Sequence, residues 1–349
     1  ETLRVDPCYP EPAWNQLDPV HPGFSCRTSI TMSSKAFAAE TTFPPPELLQ
    51  RLETILPADR LQAYLQAAAE DRVVSIRVNT LKSDQEYVRM NLEASGIMTT
   101  AVSWCPDALM TNTTPRALQE TEAWKTGCFH IQSLSSIAVA PVLAPKPGER
   151  VLDMCAAPGS KTSHIAALMN QEGELVANDL SKARMHRMRA ILEKLGVKST
   201  VRVGPGDQIG RREPTSFDRV LVDAPCSGEG RMRADDPKSY ANWRRSVLRR
   251  LGSRQKSLLH SAIEAVKPGG VVVYSTCTFA PEENELVLAR ALQRYQGRIE
   301  LESIPIEIPG SLLPIETWNG KPLPDLALAC RLAPPAMDGF FIARLRRIV

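Results

Sequence analysis

The sequence lacks the marks of several large protein classes. No apolar run in its 349 residues is long enough to cross a membrane. None of its eight cysteines lies in a Cys-x-x-Cys pair, which argues against a structural zinc site and a dense disulfide framework. Residues 1–36 lack the basic-then-apolar order of a secretory signal. We therefore expect a cytoplasmic protein with no membrane partner and no bound metal.

The net charge and the composition exclude fewer classes of protein. The net charge is only +3, which is too small by itself to indicate a nucleic-acid partner, so the local distribution of charge has to decide. Hydrophobic residues make up 43% and charged residues 23%, which is typical of a globular protein with a substantial core. The length suits one large domain and a smaller one. Nothing indicates an obligate oligomer, so we expect a monomer.

The first part of the chain predicts an irregular tail followed by a small domain. Residues 1–43 are rich in Pro, Ser and Thr and show no sustained period. Apolar residues at helical spacing predict a helix over 46–69, alternation predicts a strand over 73–81, and a second helix is expected over 84–94. These elements indicate a small α+β domain over residues 44–140.

The pattern changes beyond residue 140. Residues 141–150 contain three prolines and Gly148, which suits a linker into a second domain over residues 141–349. Short apolar strands then alternate with helices, a pattern that predicts an α/β fold with a parallel sheet covered on both faces. The predicted strands are 151–154, 174–178, 200–203, 219–222, 271–275 and 340–345, and the predicted helices are 161–169, 182–195 and 248–266.

A turn of small residues joins the first of these strands to its helix. Open α/β sheets bind ligands at the carboxyl ends of their strands, which is where this turn lies. Ala156, Ala157 and Gly159 allow a ligand to approach the backbone closely, and the helix N-terminus offers N–H groups to a carboxylate. The spacing differs from that of a phosphate-binding loop, so a nucleoside triphosphate is not expected. The alternative is a tight turn without a ligand.

Two aspartates lie at the ends of the following strands. Asp179 ends the second strand, where a carboxylate can accept hydrogen bonds from both hydroxyls of a ribose. Asp207 follows the third strand, where it can meet the amino group of an adenine. Acids at strand ends also serve as helix caps. Together with the turn, however, the two acids favour binding of a single cofactor that carries both groups.

Two cysteines, Cys226 and Cys277, follow the fourth and fifth predicted strands on the same rim. A pair of thiols suits covalent chemistry at C5 of cytosine, a carbon that is too weakly nucleophilic to take a methyl group directly. A thiolate that adds to C6 raises the electron density on C5. A free cysteine has a pKa of about 8.5, so the site must stabilise the thiolate or deprotonate the thiol. Five further cysteines are expected to be small buried apolar residues: Cys8, Cys26, Cys105, Cys128 and Cys330.

At these residues the sequence resembles the Sun-domain (nucleolar proliferation antigen-like) family of RNA cytosine-C5 methyltransferases. The matching segments are 77–80 (Arg-Val-Asn-Thr), 153–162 (Asp-Met-Cys-Ala-Ala-Pro-Gly-Ser-Lys-Thr), 177–181 (Ala-Asn-Asp-Leu-Ser), 223–230 (Asp-Ala-Pro-Cys-Ser-Gly-Glu-Gly), 274–278 (Tyr-Ser-Thr-Cys-Thr), 281–285 (Pro-Glu-Glu-Asn-Glu) and 338–341 (Asp-Gly-Phe-Phe). The resemblance implies a Rossmann-type methyltransferase domain that uses S-adenosylmethionine, preceded by a small RNA-recognition-like domain.

The resemblance also implies roles for individual residues. Cys277 would attack the base, and Cys226 would promote release of the methylated product. Asp223 and Lys161 would contact the target base. The cofactor would be bound by Cys155, Ala156, Ala157, Pro158, Gly159, Ser160, Lys161, Asp179, Arg184, Asp207 and Asp223.

Basic residues crowd the segment after Cys226. They are Arg231, Arg233, Lys238, Arg244, Arg245, Arg249, Arg250, Arg254 and Lys256, and only Asp235 and Asp236 offset them locally. The segment is a candidate track for RNA phosphates, or alternatively a solvated helix face paired with acids. Trp243 and Tyr240 are expected to pack rather than to stack on a base. A target cytosine in a helix would have to flip out, so unpaired or remodelled RNA is expected.

Several functions remain open at this point. Ribosomal RNA is the expected substrate, and transfer RNA is the alternative. A DNA cytosine-C5 methyltransferase would use Cys226 as its nucleophile and would leave Cys277 without a role. A non-catalytic RNA-binding factor of ribosome assembly would not need both cysteines and the cofactor turn. Methylation of a protein side chain gives no reason for two thiols.

Overall fold

The computed structural model describes residues 43–70, 73–335 and 337–349. The tail expected over residues 1–43 therefore lies outside the described residues, apart from Phe43. In these three ranges no helix is both long enough and apolar enough to cross a bilayer.

The secondary structure follows the chain in one series of helices and strands. The helices are α1 (Pro46–Ile55), α2 (Ala58–Ala69), α3 (Gln85–Ala94), α4 (Pro115–Glu120), α5 (Glu122–Lys125), α6 (Leu134–Leu143), α7 (Ser160–Leu168), α8 (Lys182–Lys194), α9 (Ile209–Arg212), α10 (Arg245–Ala265) and α11 (Glu285–Arg294). The strands are β1 (Val74–Val78), β2 (Thr100–Ala101), β3 (Ala108–Thr111), β4 (Phe129–Ile131), β5 (Arg150–Asp153), β6 (Glu174–Asp179), β7 (Thr200–Val203), β8 (Phe217–Asp223), β9 (Val266–Thr276), β10 (Ile299–Glu302), β11 (Thr317–Trp318), β12 (Lys321–Pro322), β13 (Cys330–Leu332) and β14 (Phe340–Arg347).

The single helix expected over residues 46–69 is divided in two. Leu56 has an extended backbone (φ −106°, ψ 142°) at the end of α1, and Pro57 stands at the N-cap of α2. A residue that precedes proline is disfavoured in the helical region, and proline has no N–H to donate. The segment with helical apolar spacing therefore forms two helices instead of one. Their buried residues Leu52 and Tyr64 belong to the same apolar cluster.

A small antiparallel sheet with the order β2-β3-β1-β4 follows the two helices. The central strand β1 pairs with β3 on one side and with β4 on the other. Its core is shared with α3, α4 and α5 and includes Ile76, Val88, Leu118 and Phe129. This confirms the α+β character predicted for the N-terminal part.

The linker expected over residues 141–150 begins inside a helix. Pro141 lies in α6, and Ala144 follows the helix in the left-handed region (φ 49°). Proline removes one hydrogen bond from a helix. Here the neighbouring Val139 and Val142 are fully buried in the cluster on one face of the larger sheet, and this burial offsets the loss. A boundary at residue 140 therefore falls within a packed helix.

The larger sheet has the order β10-β14-β9-β8-β5-β6-β7, with β13 paired to β14. Strands β5 to β9 run parallel, and β14 lies antiparallel between β9 and β10. One apolar cluster includes α10 and α11, and another includes α6 and α7, so that helices cover both faces. This confirms the predicted α/β fold. The residues that follow β5, β6, β8 and β9 meet at one edge of the sheet, because the carboxyl ends of parallel strands lie together.

Candidate active site

The loops after the neighbouring strands β8 and β9 bring two cysteine thiols into contact. Sγ of Cys226 lies 3.2 Å from Sγ of Cys277. The backbone N–H of Cys277 also donates to Sγ of Cys226, over 3.3 Å. Both thiols are free and half-buried. The register that pairs Asp223 with Ser275 at the ends of the two strands sets this approach.

A hydrogen bond between the two thiols separates their acidities. The hydrogen bond with Cys226 lowers the pKa of Cys277, while burial opposes the shift. The positive charges of Arg231 and Lys161 also lower the pKa of Cys277. The same hydrogen bond, together with burial, raises the pKa of Cys226. These shifts favour Cys277 as the thiolate of the pair and Cys226 as its protonated neighbour.

An ion pair stands beside the thiols. Nζ of Lys161 donates to Oδ2 of Asp223 over 2.8 Å, and Oγ of Ser275 donates to Oδ1 over 2.9 Å. Lys161 lies in the first turn of α7 and Asp223 at the end of β8, so the pair joins the small-residue turn to the Cys226 loop. The side chain of Asp223 keeps 30% of its surface exposed, so it can still contact a ligand.

A buried carboxylate supports the Cys226 loop. Oε2 of Glu283 accepts the backbone N–H of Ser227 over 3.0 Å and Nε2 of Gln255 over 2.7 Å. Gln255 also donates to the carbonyl of Pro225 over 2.9 Å. Burial raises the pKa of Glu283 to about 7. Side chains from α10 and from the segment before α11 therefore hold the residues on either side of Cys226.

A cavity of about 790 Å³ opens at this edge of the sheet. This volume lies in the range of about 300–1,000 Å³ that is usual for small-molecule sites. The residues predicted from the sequence that line it are Cys155, Ala156, Ala157, Pro158, Ser160, Lys161, Asp179, Arg184, Asp223, Cys226 and Cys277. Gly159 and Asp207, although both are described, are not among its lining residues.

The turn after β5 depends on a glycine and carries a buried acid. Gly159 has φ +107°, and a Cβ at this position would lie 2.8 Å from Cγ of Met188. Asp153, at the end of β5, accepts a hydrogen bond from Thr162 over 2.7 Å through Oδ2. Its Oδ1 has no hydrogen-bond partner among the described residues. Asp153 lines the cavity, and burial raises its pKa to about 7.

Asp179 ends β6 and is bonded to the same turn. Its Oδ2 accepts the N–H of Ala157 over 3.3 Å and lies 3.1 Å from Nη1 of Arg184. Its Oδ1 accepts the N–H of Ser181 over 2.9 Å. Arg184 also donates to the carbonyl of Ala157. The carboxylate is thus fixed at the cavity wall by the turn on one side and by α8 on the other.

Asp207 stands apart from this group. It is exposed in a short 3-10 helix (Gly206–Gln208), and its neighbour Gly206 lines the cavity. A contact between Asp207 and an adenine stays a prediction.

Two family models match the chain. The model described as 16S rRNA methyltransferase RsmB/F matches residues 140–346, which is more than half of the chain. The chain belongs to this family. Its larger domain is therefore an S-adenosylmethionine-dependent methyltransferase domain of the RsmB/F family. The model described as the N-terminal domain of 16S rRNA methyltransferase RsmF matches residues 45–134.

Curated relatives carry the same family name. Proteins named ribosomal RNA small subunit methyltransferase F are 36% identical over 314 residues in Vibrio campbellii and 34% identical over 313 residues in Serratia proteamaculans. Each alignment covers 87% of this chain but only 63% of the relative, so the chain spans less than two thirds of their length. Residues 157–162 and 227–230 resemble bacterial small-subunit rRNA methyltransferase RsmF in particular, and these comparisons confirm that resemblance.

Solved structures share the fold of this RsmB/F chain. A methyltransferase homologue from Pyrococcus horikoshii is 30% identical with a TM-score of 0.71, and the match covers 86% of this chain and 99% of that one. NSun6 from Pyrococcus horikoshii, solved with SFG, is 23% identical with a TM-score of 0.76 over 87% of this chain and 98% of its own. The second match shows the fold alone. Together they confirm the Rossmann-type methyltransferase fold.

One wall of the RsmB/F cavity comes from the N-terminal sheet, and the sequence did not predict it. Ser75 of β1, Gln132 after β4 and Ser136 of α6 line the cavity. Behind them, the buried Arg77 donates to Oε1 of Gln132 over 3.2 Å and to Oγ of Ser163 in α7 over 2.7 Å. Arg77 therefore joins this wall to the methyltransferase domain. The one indication of this role in the sequence is that Arg77 lies in segment 77–80, which matches the Sun-domain family.

The basic residues after Cys226 do not share one environment. Arg231 and Arg254 line the cavity. Arg245 pairs with Glu47 over 2.6 Å, so that it faces α1. The others vary in exposure: Lys238, Arg244, Arg249 and Arg250 are exposed, Lys256 is half-buried, and Arg233 is half-buried and pairs with Asp235 over 2.8 Å. A phosphate track along this segment stays a prediction.

The other cysteines and the two aromatic residues of this segment follow the packing roles expected for them. Cys105, Cys128 and Cys330 are buried, whereas Cys8 and Cys26 lie outside the described residues. The ring of Tyr240 is buried 5.2 Å from that of Phe43. Nε1 of Trp243 donates to the buried carboxylate of Glu229 over 2.7 Å.

Proposed function

We propose that this chain is an RNA cytosine-C5 methyltransferase that acts on small-subunit ribosomal RNA. The observation that carries the proposal is the contact of 3.2 Å between Cys226 and Cys277 at the carboxyl edge of the sheet. The names of the curated relatives support small-subunit ribosomal RNA as the substrate. Transfer RNA is the second candidate.

The residues around the cavity fit S-adenosylmethionine. The fixed carboxylate of Asp179 suits the two ribose hydroxyls. The N-terminus of α7 offers free N–H groups to a carboxylate. Oδ1 of Asp153 is an acceptor without a partner in the described part of the chain, and it suits a donor on a ligand. When bound, S-adenosylmethionine supplies an electrophilic methyl group for C5 of the base.

The first step belongs to Cys277. Its thiolate adds to C6 of the cytosine, so that an S–C6 bond forms and the C5=C6 electrons become available at C5. The hydrogen bond from Cys226 and the charges of Arg231 and Lys161 favour that thiolate. We assign contacts with the cytosine ring to Asp223 and Lys161, because their ion pair lines the cavity beside the thiols.

The last step uses Cys226. Once C5 carries the methyl group, solvent water takes the proton from C5, and the electrons of that C–H bond re-form the C5=C6 bond. The S–C6 bond then breaks with its electron pair on Sγ of Cys277. Cys226 keeps its proton, since its pKa is raised, and it can donate to the departing sulfur. A DNA-type mechanism with Cys226 as the nucleophile would leave Cys277, whose sulfur lies 3.2 Å away, without a role.

Transfer of a labelled methyl group tests the proposal. The protein is incubated with methyl-labelled S-adenosylmethionine and, in parallel, naked 16S rRNA, small ribosomal subunits, transfer RNA or DNA. We expect 5-methylcytosine in ribosomal RNA, no label with Cys277→Ala, and full activity with Cys330→Ala, a buried cysteine that is absent from the cavity lining. Label in DNA that depends on Cys226 would overturn the proposal. Label in none of the polymers would favour a non-catalytic assembly factor.

A further inference from the structure

Each of the two cysteines is followed by a residue with a hydroxyl group, and the two hydroxyls meet. Oγ of Ser227 lies 2.7 Å from Oγ1 of Thr278. The two side chains come from different loops, after β8 and after β9. They form a further bridge between the loops, next to the contact between Cys226 and Cys277.

The direction of this bridge is fixed by its surroundings. The hydroxyl of Thr278 donates to Oε2 of Glu229 over 2.9 Å, and it accepts the N–H of Ala280 over 3.2 Å. A threonine hydroxyl has one hydrogen to donate, so the bond between the hydroxyls is donated by Ser227. The hydrogen bonds therefore run from Ser227 through Thr278 to Glu229.

Glu229 anchors this series of hydrogen bonds inside the protein. It has no exposed surface. Its Oε1 accepts Nε1 of Trp243 over 2.7 Å, and its backbone carbonyl accepts the hydroxyl of Tyr64 over 2.8 Å. Both carboxylate oxygens therefore have fixed donors. A buried network with satisfied members is rigid, because each group would lose its partner if the others moved.

We infer that Ser227, Thr278 and Glu229 are positioning residues that hold the two thiols in contact. This inference rests on the proposed function, in which Cys226 must donate to Cys277 both before attack and during release. Without the bridge, the loops after β8 and β9 are still joined by the backbone bond from Gly230 to Cys277, but the residues that follow the two cysteines lose their mutual contact, and small shifts of the backbone can then part the thiols. Cys277 then loses the hydrogen bond that lowers its pKa, and its departure from C6 loses a donor.

The test compares three variants. Thr278→Val removes the hydroxyl and keeps the shape of the side chain, and Thr278→Ser restores the hydroxyl. Thr111→Val is the matched control, because Thr111 is also buried and bonded through its hydroxyl, to the carbonyl of Met98, but it lies in the small sheet. Loss of a hydrogen bond in an active site is expected to lower kcat roughly tenfold to a hundredfold in Thr278→Val. We expect no change of KM for RNA, and near-normal kcat in Thr278→Ser and Thr111→Val.

A second readout needs no RNA. The rate at which iodoacetamide alkylates Cys277 is measured against pH, with the modified cysteine identified by mass spectrometry. We expect the midpoint of this profile to move to higher pH in Thr278→Val but not in Thr278→Ser or Thr111→Val. If no RNA is methylated by the wild-type protein, the proposed function fails, and the alkylation profile still decides whether the bridge positions the thiols.

Two results would overturn the inference. The first is a Thr278→Val protein with the wild-type alkylation profile and the wild-type kcat, because the backbone hydrogen bond from Gly230 to Cys277 (3.1 Å) would then suffice to join the loops. The second is a Thr278→Ser protein as impaired as Thr278→Val, because the hydroxyl would then not be the cause. If Thr278→Val does not fold, Ser227→Ala removes the same bridge at a half-buried position and is judged by the same two measurements.

Discussion

The buried carboxyl of Asp153 is expected to make the stability of the ligand-free protein fall as pH rises. Asp153 is 1% exposed, its Oδ2 accepts from Thr162, and its Oδ1 has no partner among the described residues. Burial raises its pKa from 3.8 to about 7. The change Asp153→Asn keeps the shape and the acceptor for Thr162 but removes the ionisation.

The sign and size of the effect follow from the shift. Between pH 3.8 and about 7 the folded protein holds a proton at Asp153 that the unfolded chain has lost. The free energy of unfolding therefore decreases as pH rises through this window, by about 1.36 kcal/mol per pH unit. Between pH 5 and pH 8 the wild-type protein is expected to lose at most about 3 kcal/mol through this one group.

Urea unfolding of the ligand-free protein at pH 5 and pH 8 measures this loss. The advantage of Asp153→Asn over the wild type should be larger at pH 8 by up to about 3 kcal/mol. Asp59→Asn is the matched control, since the side chain of Asp59 is 76% exposed, and its difference from the wild type should not change with pH. An Asp153→Asn difference that is equal at both pH values would refute the reasoning.

Three further substitutions test individual contacts in the methyltransferase domain. In Gly230→Ala, the new Cβ would lie 2.0 Å from the carbonyl oxygen of Gly339, so we expect displacement of the Cys226 loop and a loss of kcat of more than about tenfold in steady-state assays. In Arg331→Met, the buried Glu285 loses its two hydrogen bonds of 2.6 Å from Arg331 and keeps only the one from the N–H of Ile315 among the described residues, so chemical denaturation should show a loss of about 3–5 kcal/mol. In Asp179→Ala, calorimetry should show at least roughly tenfold weaker binding of S-adenosylmethionine. If one of these variants behaves like the wild type in its measurement, the role given to the contact that it removes or disturbs is wrong.

Much of the larger domain could be predicted because its sequence signals are local. Short apolar runs bounded by turns mark β5, β6, β7, β8 and β9, and the structure places these strands within a few residues of the predicted bounds. Parallel order then brings the residues after each strand to one edge. That is why the sequence alone predicts that Cys226 and Cys277 lie near each other.

The missed features depend on contacts between segments that are distant in the chain. Gln132 reaches the cavity wall only because the small sheet packs against α7 through Arg77. Nothing in the residues around Trp243 or Glu229 indicates that the two side chains form a hydrogen bond. Pro141 indicated a linker, but burial of α6 outweighs the preference of proline for irregular segments. The spacing of residues within one segment does not show which of its surfaces is buried against another segment.

The covalent intermediate gives the most direct test of the central claim. Cys226→Ala is incubated with S-adenosylmethionine and small-subunit ribosomal RNA, and a protein–RNA band that resists denaturant is sought. We predict such a band, and we predict that it disappears when Cys277→Ala is added, because Cys277 forms the bond to C6 and Cys226 assists its release. A band that persists without Cys277, or one formed with DNA through Cys226 in the wild-type protein, would contradict the account.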